Sequence, residues 1–345
     1  MMRPAANSNA RDGKQYACEI VATGYAYPSD RVDNAGYFAR CRFPIAEDHA
    51  ALERESRMRS RYWCTDQENT WTMARDAVAL ALSNSPVPAD EIDVVLVSSC
   101  STIPMVNVPD WSNPVVADLA PLVLRELGRD DALGLDIKAS YCAGFLRGLE
   151  LMDGLLQNPN YRAGLLVATD QGGRFATAES NRSAFCFIIG DAAGAVIMRR
   201  AAPSPRVGLV DYLGHTIVSK GDLTAWGPDG RSVVVKGARA GAATLELLIE
   251  CARRLLERNG LTPTDVDWLL PMQTHALTID ALCGALEWPR EKLLWFGDVT
   301  GYAASASIPA CLAEQIHRGR VRKGDLVLSL AVGAGLNCAG ALYYY

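Results

Sequence analysis

The sequence lacks a long hydrophobic run and any excess of positive charge. No stretch of about 18 apolar residues occurs, so no membrane span is expected. The formal net charge of −5 gives no electrostatic basis for nucleic-acid binding. Residues 1–14 are polar and have no apolar signal-peptide core, so we predict a disordered tail there.

Closely paired cysteines are also missing. The 345 residues include 10 cysteines at irregular spacing and no Cys-x-x-Cys pair, which predicts reduced thiols in a cytoplasmic protein. We predict neither a metal site nor a bound cofactor. Histidine is scarce, with only 4 residues, so few candidates exist for a histidine base.

Stretches with strand and helix patterns alternate along the whole chain. Short apolar runs over residues 133–137 and 184–189 predict strands, and apolar residues at helical spacing over 142–156 predict a helix. Alternation of this kind is typical of an α/β fold with mainly parallel central strands.

Three short segments recur in the same order in both halves of the chain. Residues 88–96 resemble 263–270, residues 162–167 resemble 322–327, and residues 193–196 resemble 339–342. Three matches in order indicate a duplication. We therefore predict an N-terminal half over 15–200 and a C-terminal half over 206–345, joined at the Pro-rich stretch 201–205.

One cysteine lies at a strand-to-helix junction. Cys142 follows the predicted strand 133–137 and begins the predicted helix, where amide groups and the helix dipole favour negative charge. A thiol there ionises more readily, and the small neighbours Ala143 and Gly144 leave room for a substrate carbonyl. The alternative is an inert cysteine of the core.

Several motifs together resemble the ketoacyl-acyl-carrier-protein synthase III branch of the thiolase-fold condensing enzymes. They are the residues after Cys142 and the stretches 189–195 (IGDAAGA), 271–275 (PMQTH), 305–309 (SASIP) and 333–335 (GAG). The resemblance covers the chain from about residue 17 to the end. It implies a duplicated five-layer αβαβα fold, a homodimer, and transfer of an acyl group from a thioester onto Cys142.

The chain departs from this family at the catalytic histidine. Where the family has His-Gln-Ala-Asn, the sequence has Met272-Gln273-Thr274-His275. Methionine can neither exchange a proton nor donate a hydrogen bond, so Met272 is predicted to line the acyl pocket. His275 lies three residues later, on the same side of a helix that begins here, and we predict it as the catalytic base. A structural or substrate-contacting role is the alternative.

The family asparagine is also replaced. Aligned from one end of the segment 297–305 the replacement is Asp298, and aligned from the other end it is Tyr302. Asp298 is preferred, because an aspartate can orient an imidazole as in a Cys-His-Asp triad. The alternatives are that Asp298 is a turn residue and that Tyr302 contacts the substrate.

The family holds the oxyanion with backbone amides of the cysteine and of a glycine in the C-terminal Gly-rich turn. By this resemblance the two donors are Cys142 and Gly335. A turn that merely joins two strands would require the same glycines.

The substrate entrance differs from that of family members that bind coenzyme A, since residues 48–52 contain no tryptophan. Arg54, Arg57 and Arg59 are candidate contacts for phosphopantetheine or an acidic carrier protein, or else form a solvated basic face. Met105 and Trp111, in a long loop over 103–114, are candidates for shaping the acyl pocket across the dimer, or for packing at its interface.

Loss of the histidine weakens the case for decarboxylative condensation, because that reaction needs two donors for the enolate oxygen. We therefore expect an acyltransferase of specialised metabolism that takes its acyl group from a carrier protein or coenzyme A. It would form an ester, an amide or, atypically, a carbon–carbon bond. The alternatives are standard 3-oxoacyl synthesis and a non-catalytic partner subunit of an active homologue.

Overall fold

The structure, a computed structural model, describes residues 16–41, 48–101, 118–138, 140–176, 184–202, 204, 206–226 and 233–345. Its strands are β1 (Ala17–Ala26), β2 (Asp30–Asp33), β3 (Ser60–Trp63), β4 (Ile92–Ser98), β5 (Leu133–Ile137), β6 (Ala163–Asp170), β7 (Ala192–Ala201), β8 (Gly208–Thr216), β9 (Thr224–Trp226), β10 (Val233–Val235), β11 (Trp268–Pro271), β12 (Leu326–Gly333) and β13 (Asn337–Tyr344). Its helices are α1 (Asn34–Arg40), α2 (His49–Ser56), α3 (Thr70–Ser83), α4 (Ala120–Glu126), α5 (Gly144–Leu156), α6 (Gly173–Ala176), α7 (Gly237–Arg258), α8 (Ala276–Leu286), α9 (Gly297–Thr300) and α10 (Ser307–His317).

Two large sheets share one topology. The first has the order β1-β7-β6-β4-β5 and the second the order β8-β13-β12-β11. In the first, β4 is parallel to β6, and β7 is antiparallel to both β6 and β1. In the second, β11 is parallel to β12, and β13 is antiparallel to both β12 and β8. The predicted duplication is therefore confirmed, although both sheets are mixed rather than mainly parallel.

Helices separate and cover the sheets. α3 packs on the outer face of the first sheet, α5 and α10 lie between the sheets, and α7 packs with α8 on the outer face of the second. This is the predicted five-layer αβαβα arrangement. Central strands such as β6 and β12 are buried along their whole length, because both of their faces are covered.

The strand predicted over 184–189 is wrong. Residues Ala184–Ile188 form a 3₁₀ helix, and only Ile189 makes a single bridge, to Tyr302. Cys186, Phe187 and Ile188 are buried, and a short buried apolar run has the same sequence pattern in a strand and in a helical turn.

No helix among the described residues is long and apolar enough to cross a membrane. The predicted tail 1–14 lies outside the described residues.

Candidate active site

Cys142 lies on a sharp turn between β5 and α5. Ser140 and Tyr141 both have positive φ angles, 79° and 44°, which are unfavourable for residues with a side chain. A 3₁₀ turn, Tyr141–Ala143, then leads into α5. No side chain caps the N-terminus of α5. The Gly144 amide donates to the Tyr141 oxygen, and the positive end of the helix dipole favours negative charge at Cys142.

Two glycines at this turn lie in very close contact with their neighbours. A Cβ atom on Gly144 would lie 2.0 Å from Ser98 Oγ at the end of β4. A Cβ atom on Gly333, the last residue of β12, would lie 2.0 Å from the Ser140 oxygen and 2.9 Å from the Cys142 nitrogen. The Gly-rich turn after β12 is therefore pressed against the backbone of the nucleophile, as oxyanion stabilisation requires.

The glycine at this contact is Gly333, not the predicted Gly335. Gly335 has a φ angle of 122°, and a Cβ atom there would meet the Asn337 side chain rather than the cysteine turn. The role of Gly335 as the second oxyanion donor stays a prediction.

The Cys142 thiol has two polar neighbours, Cys100 and Tyr302. The neighbouring Cys100 thiol, and then the Tyr302 hydroxyl, hold the pKa of Cys142 below its ordinary value, although burial and the Asp170 carboxylate oppose this. The buried Tyr302 hydroxyl itself forms no hydrogen bond with any described residue. Burial and the Cys142 thiolate raise the pKa of Tyr302, so its hydroxyl stays protonated. Tyr302, offered as the second choice for the asparagine position, is therefore the residue beside the nucleophile.

A buried carboxylate, Asp170, connects the two loops that carry Cys100 and Tyr302. Asp170, at the end of β6, accepts hydrogen bonds from the Cys100 amide at 2.5 Å and the Ser101 amide at 3.1 Å. It also accepts from the Ser305 amide at 2.8 Å and the Ser305 hydroxyl at 2.6 Å. Asp170 thus ties the loop after β4 to the loop that carries Tyr302, and burial raises its pKa to about 6.

Sequence reasoning missed Cys100, Asp170 and Ser305. One signal in the sequence could have indicated them: polar residues stand at the ends of two apolar strands. These are Ser99–Ser101 directly after β4 and Asp170 as the last residue of β6. Ends of parallel strands meet at one edge of a sheet, so such residues are brought together.

Met272 is held by the second sheet. Its amide donates to the Leu330 oxygen at 2.8 Å, and its sulfur accepts from the Val332 amide at 3.4 Å. The side chain is 5% exposed, which suits the predicted wall of an acyl pocket. Its thioether has no proton to exchange, so this position cannot supply an acid or a base.

His275 is the last residue before α8 and is partly buried. Its ring centroid lies 6.4 Å from that of Phe185, which lies 5.7 Å from that of Tyr302. Phe185 thus connects His275 with the wall of the Cys142 site. Burial lowers the pKa of His275 to about 4, so the imidazole is neutral near pH 7 and has a free acceptor nitrogen, although burial also makes it a weaker base than an exposed histidine.

This burial predicts a pH-dependent contribution to stability. The unfolded chain binds a proton at His275 near pH 6.5, whereas the folded chain binds it near pH 4, so stability falls as the pH drops between these values. The loss reaches about 3 kcal/mol at pH 4. Asp170 and Asp191, whose pKa values burial raises to about 6, act in the opposite direction. The measurement is therefore the difference in unfolding free energy between wild type and His275→Gln, and two parallel pH curves would contradict the burial of a neutral imidazole.

Asp298 does not form the predicted triad with His275. Its carboxylate accepts from Arg59 Nε at 2.9 Å and Nη2 at 2.5 Å, and its carbonyl accepts from the Arg59 amide at 2.7 Å. Asp298 lies on the short helix α9, which turns its side chain toward β3. It contributes to an exposed ion pair, and this part of the sequence prediction is corrected.

Asp298→Asn is accordingly expected to have a small effect. Exposed ion pairs contribute about 0–1 kcal/mol, so stability should change by less than about 1 kcal/mol and acyl-transfer turnover by less than roughly threefold. In a Cys-His-Asp triad the same change would lower turnover by about 10⁴-fold. Steady-state turnover with thermal unfolding as a control separates the two.

The three arginines at the predicted entrance are all exposed. Arg57 pairs with Asp280 at 2.5 Å, and Arg59 pairs with Asp298. Arg54 makes no ion pair with any residue that the structure describes, so it is the arginine most available to an anionic carrier. Met105 and Trp111 lie outside the described residues. Within the described residues, no group of three or more His, Cys, Asp or Glu side chains is arranged to hold a metal ion.

Two family profiles match the chain. Residues 135–214 match "3-Oxoacyl-[acyl-carrier-protein (ACP)] synthase III", and residues 256–345 match its C-terminal counterpart. A β-ketoacyl-[acyl-carrier-protein] synthase III of Halalkalibacterium halodurans is 30% identical over 322 residues, covering 93% of each chain.

Solved structures share the fold. The priming β-ketosynthase of the R1128 polyketide biosynthetic pathway is 26% identical, with a TM-score of 0.81 over 97% of this chain and 98% of its own. The 3-oxoacyl-[acyl-carrier-protein] synthase III of Aquifex aeolicus is 24% identical, with a TM-score of 0.82 over 95% of this chain and 100% of its own. With a cysteine at the start of the central helix and a Gly-rich turn against it, the chain belongs to the 3-oxoacyl-[acyl-carrier-protein] synthase III family of thiolase-fold condensing enzymes.

Proposed function

We propose that this protein transfers an acyl group from an acyl thioester to an acceptor of specialised metabolism through an acyl-Cys142 intermediate. The observation that carries the proposal is the Cys142 thiol itself. It lies at the uncapped start of α5, its pKa is lowered beside Cys100 and Tyr302, and the Cys142 amide is pressed against the turn at Gly333.

In the first half-reaction the Cys142 thiolate attacks the thioester carbonyl. A carbon–sulfur bond forms to Cys142, and the negative charge moves to the carbonyl oxygen, where the Cys142 amide stabilises it. The tetrahedral intermediate then collapses, the bond to the donor sulfur breaks, and the donor leaves as a thiolate that takes a proton from solvent. The result is acyl-Cys142 and a free donor thiol.

In the second half-reaction a hydroxyl or amine attacks acyl-Cys142. Its proton needs an acceptor, and the neutral imidazole of His275 supplies one. Met272 cannot take this role, and Asp298 is neutralised by Arg59. With His275 as the one candidate base among these three residues, the site supports ester or amide formation. Atypical carbon–carbon condensation is the other outcome within the same proposal.

The donor is an acyl carrier protein or coenzyme A, and no bound cofactor enters the steps above. The matched relatives are named for an acyl carrier protein. On the described surface, Arg54 is exposed and has no ion-pair partner, which suits a phosphate or an acidic carrier. Free thiols at all 10 cysteines suit a reducing cytoplasm.

We further propose a homodimer that pairs through β5. This strand is the outer strand of the first sheet, and all its residues are at least partly accessible, with Leu135 44% exposed. An accessible edge strand with an exposed leucine is a ready site for strand pairing with a second copy. Sedimentation analysis of Leu135→Lys tests this: the variant should be monomeric.

The proposed function is tested with His275→Ala and a panel of acyl thioesters. Both wild type and variant should gain one acyl mass on the peptide that contains Cys142, because the first half-reaction does not need His275. Only wild type should then lose the acyl group to a hydroxyl or amine acceptor. Unchanged turnover of the variant would remove His275 from the mechanism, and failure of wild type to acylate would favour a non-catalytic partner subunit.

Standard decarboxylative 3-oxoacyl synthesis is the second candidate. The names of the matched relatives support it. The Tyr302 hydroxyl, protonated and beside Cys142, also offers a neutral donor for an enolate oxygen. This candidate predicts release of carbon dioxide from malonyl carrier protein at the rate of product formation, whereas simple acyl transfer releases none.

A further inference from the structure

A second pocket lies between the β2–β3 strand pair and the helices α9 and α10. It has a volume of about 520 Å³, within the roughly 300–1,000 Å³ that is typical of small-molecule sites. None of the described residues that line it has a part in the acyl-transfer steps above. The pocket is therefore a feature that the proposed function does not explain.

Three arginines line this pocket, and only one of them is neutralised. Arg318 donates from Nε at 3.1 Å and from Nη2 at 2.7 Å to Glu314 Oε1. The Tyr27 hydroxyl donates to Glu314 Oε2 at 3.2 Å. Glu314 is the one carboxylate among the described residues of the wall, and Arg31 and Arg320 form no ion pair with any of them. The wall thus carries two uncompensated positive charges.

Both uncompensated guanidinium groups are held in place while some of their donors stay unused. Arg31 Nε donates to Ser60 Oγ at 3.1 Å, and its two Nη groups donate to no described residue. Arg320 Cζ lies 5.1 Å from the ring centroid of Trp268 and 5.5 Å from that of Phe296, and its one hydrogen bond is a long contact of 3.5 Å to a backbone oxygen. Guanidinium groups that are fixed and still have free N–H donors are well suited to phosphate.

An aromatic surface lies beside Arg31. Arg31 and Tyr62 are directly opposite each other in the antiparallel β2–β3 pair, so their side chains lie on the same face. Tyr62 stacks on Tyr27, with ring centroids 5.0 Å apart and an interplanar angle of 20°. Tyr27 also meets Tyr25 edge-on, whereas Tyr62 contacts no further aromatic ring among the described residues. The stack can therefore continue from Tyr62 onto a planar ring of a ligand.

We propose that this pocket binds a ligand of the nucleotide class, with its phosphate at Arg31 and Arg320 and its base against Tyr62. A nucleobase supplies the planar ring, and phosphate oxygens accept paired hydrogen bonds from guanidinium groups. The volume is larger than a lone phosphate fills, which favours a ligand that carries both parts. The site is additional to acyl transfer, and no bond is made or broken there.

The test is calorimetric titration of the whole chain with adenosine monophosphate, adenosine and inorganic phosphate at low salt. The variants are Arg31→Gln, which removes one uncompensated charge, and Tyr62→Ala, which removes the stacking surface. Tyr62→Phe keeps the ring. Arg75→Gln, at an exposed arginine of α3 that pairs with Asp76, is the matched control. The titration needs no acyl donor, so its result is independent of the proposed function.

Wild type should bind adenosine monophosphate at least about tenfold more tightly than adenosine or inorganic phosphate, because only the nucleotide engages both parts of the pocket. Arg31→Gln and Tyr62→Ala should each weaken this binding about tenfold. Tyr62→Phe and Arg75→Gln should stay within roughly threefold of wild type. Thermal unfolding of each variant confirms that the fold is retained.

The absence of saturable binding of adenosine monophosphate to wild type would overturn the proposal. Equal affinity for inorganic phosphate, or binding that Arg31→Gln or Tyr62→Ala leaves unchanged, would also overturn it. Competition with coenzyme A separates two sources of the same chemistry, and either result supports the site. Displacement identifies the ligand as the nucleotide portion of coenzyme A, and lack of displacement identifies a free nucleotide.

Discussion

Cys142→Ala is expected to abolish the acyl adduct and to lower turnover at least about 10³-fold, the scale of loss when a covalent nucleophile is removed. Cys100, the thiol nearest in the site, is a poor replacement, because its contact with Cys142, its burial and the Asp170 carboxylate raise its pKa. The stability cost should be small, since Cys142 is only half-buried and alanine fits its position.

Turnover and thermal unfolding of Cys142→Ala are measured beside Cys41→Ala, which removes a thiol of similar exposure. The control should keep wild-type turnover. A Cys142→Ala protein with more than about a tenth of wild-type activity would contradict covalent catalysis through this residue.

Gly333→Ala is expected to have the second largest effect. The added methyl group would lie 2.0 Å from the Ser140 oxygen and 2.9 Å from the Cys142 nitrogen, both of which are backbone atoms. Neither can rotate away, so β12 and the cysteine turn must separate. Overpacking of this kind costs about 3 kcal/mol, and a displacement of about 1 Å at a reacting group costs about 100-fold in rate.

Gly154→Ala is the matched control for this change. Gly154 lies on the exposed side of α5, and a Cβ atom there would meet nothing within 4 Å. Alanine should stabilise the helix by about 0.5–1 kcal/mol and leave turnover unchanged. If Gly333→Ala behaved like this control, the contact between the Gly-rich turn and the nucleophile would not exist as described.

Local sequence patterns are sufficient to predict the strands and helices around Cys142 and the duplicated topology. The strand over 133–137 and the helix that follows Cys142 were predicted from apolar spacing, and both lie where predicted. The duplicated topology was predicted from three short repeats. Patterns of this kind record which residues face the core, and burial is what the α/β layers require.

The partners of the nucleophile could not be predicted in the same way. Asp298 was placed by analogy with a triad, but the direction of the short helix α9 turns it toward Arg59, which is 239 residues away in the sequence. Asp170 and Cys100 meet only because β6 and β4 are neighbours in the sheet. Such contacts depend on tertiary geometry, which residue type and spacing do not encode.

The most direct test of the central claim is the site and stoichiometry of acylation of wild-type protein. Intact-mass measurement after incubation with a panel of acyl thioesters, followed by peptide mapping, gives both. The account predicts one acyl group per chain, on Cys142, removed by neutral hydroxylamine as a thioester must be. No adduct with any donor on the folded protein, or an adduct on another cysteine, would contradict it.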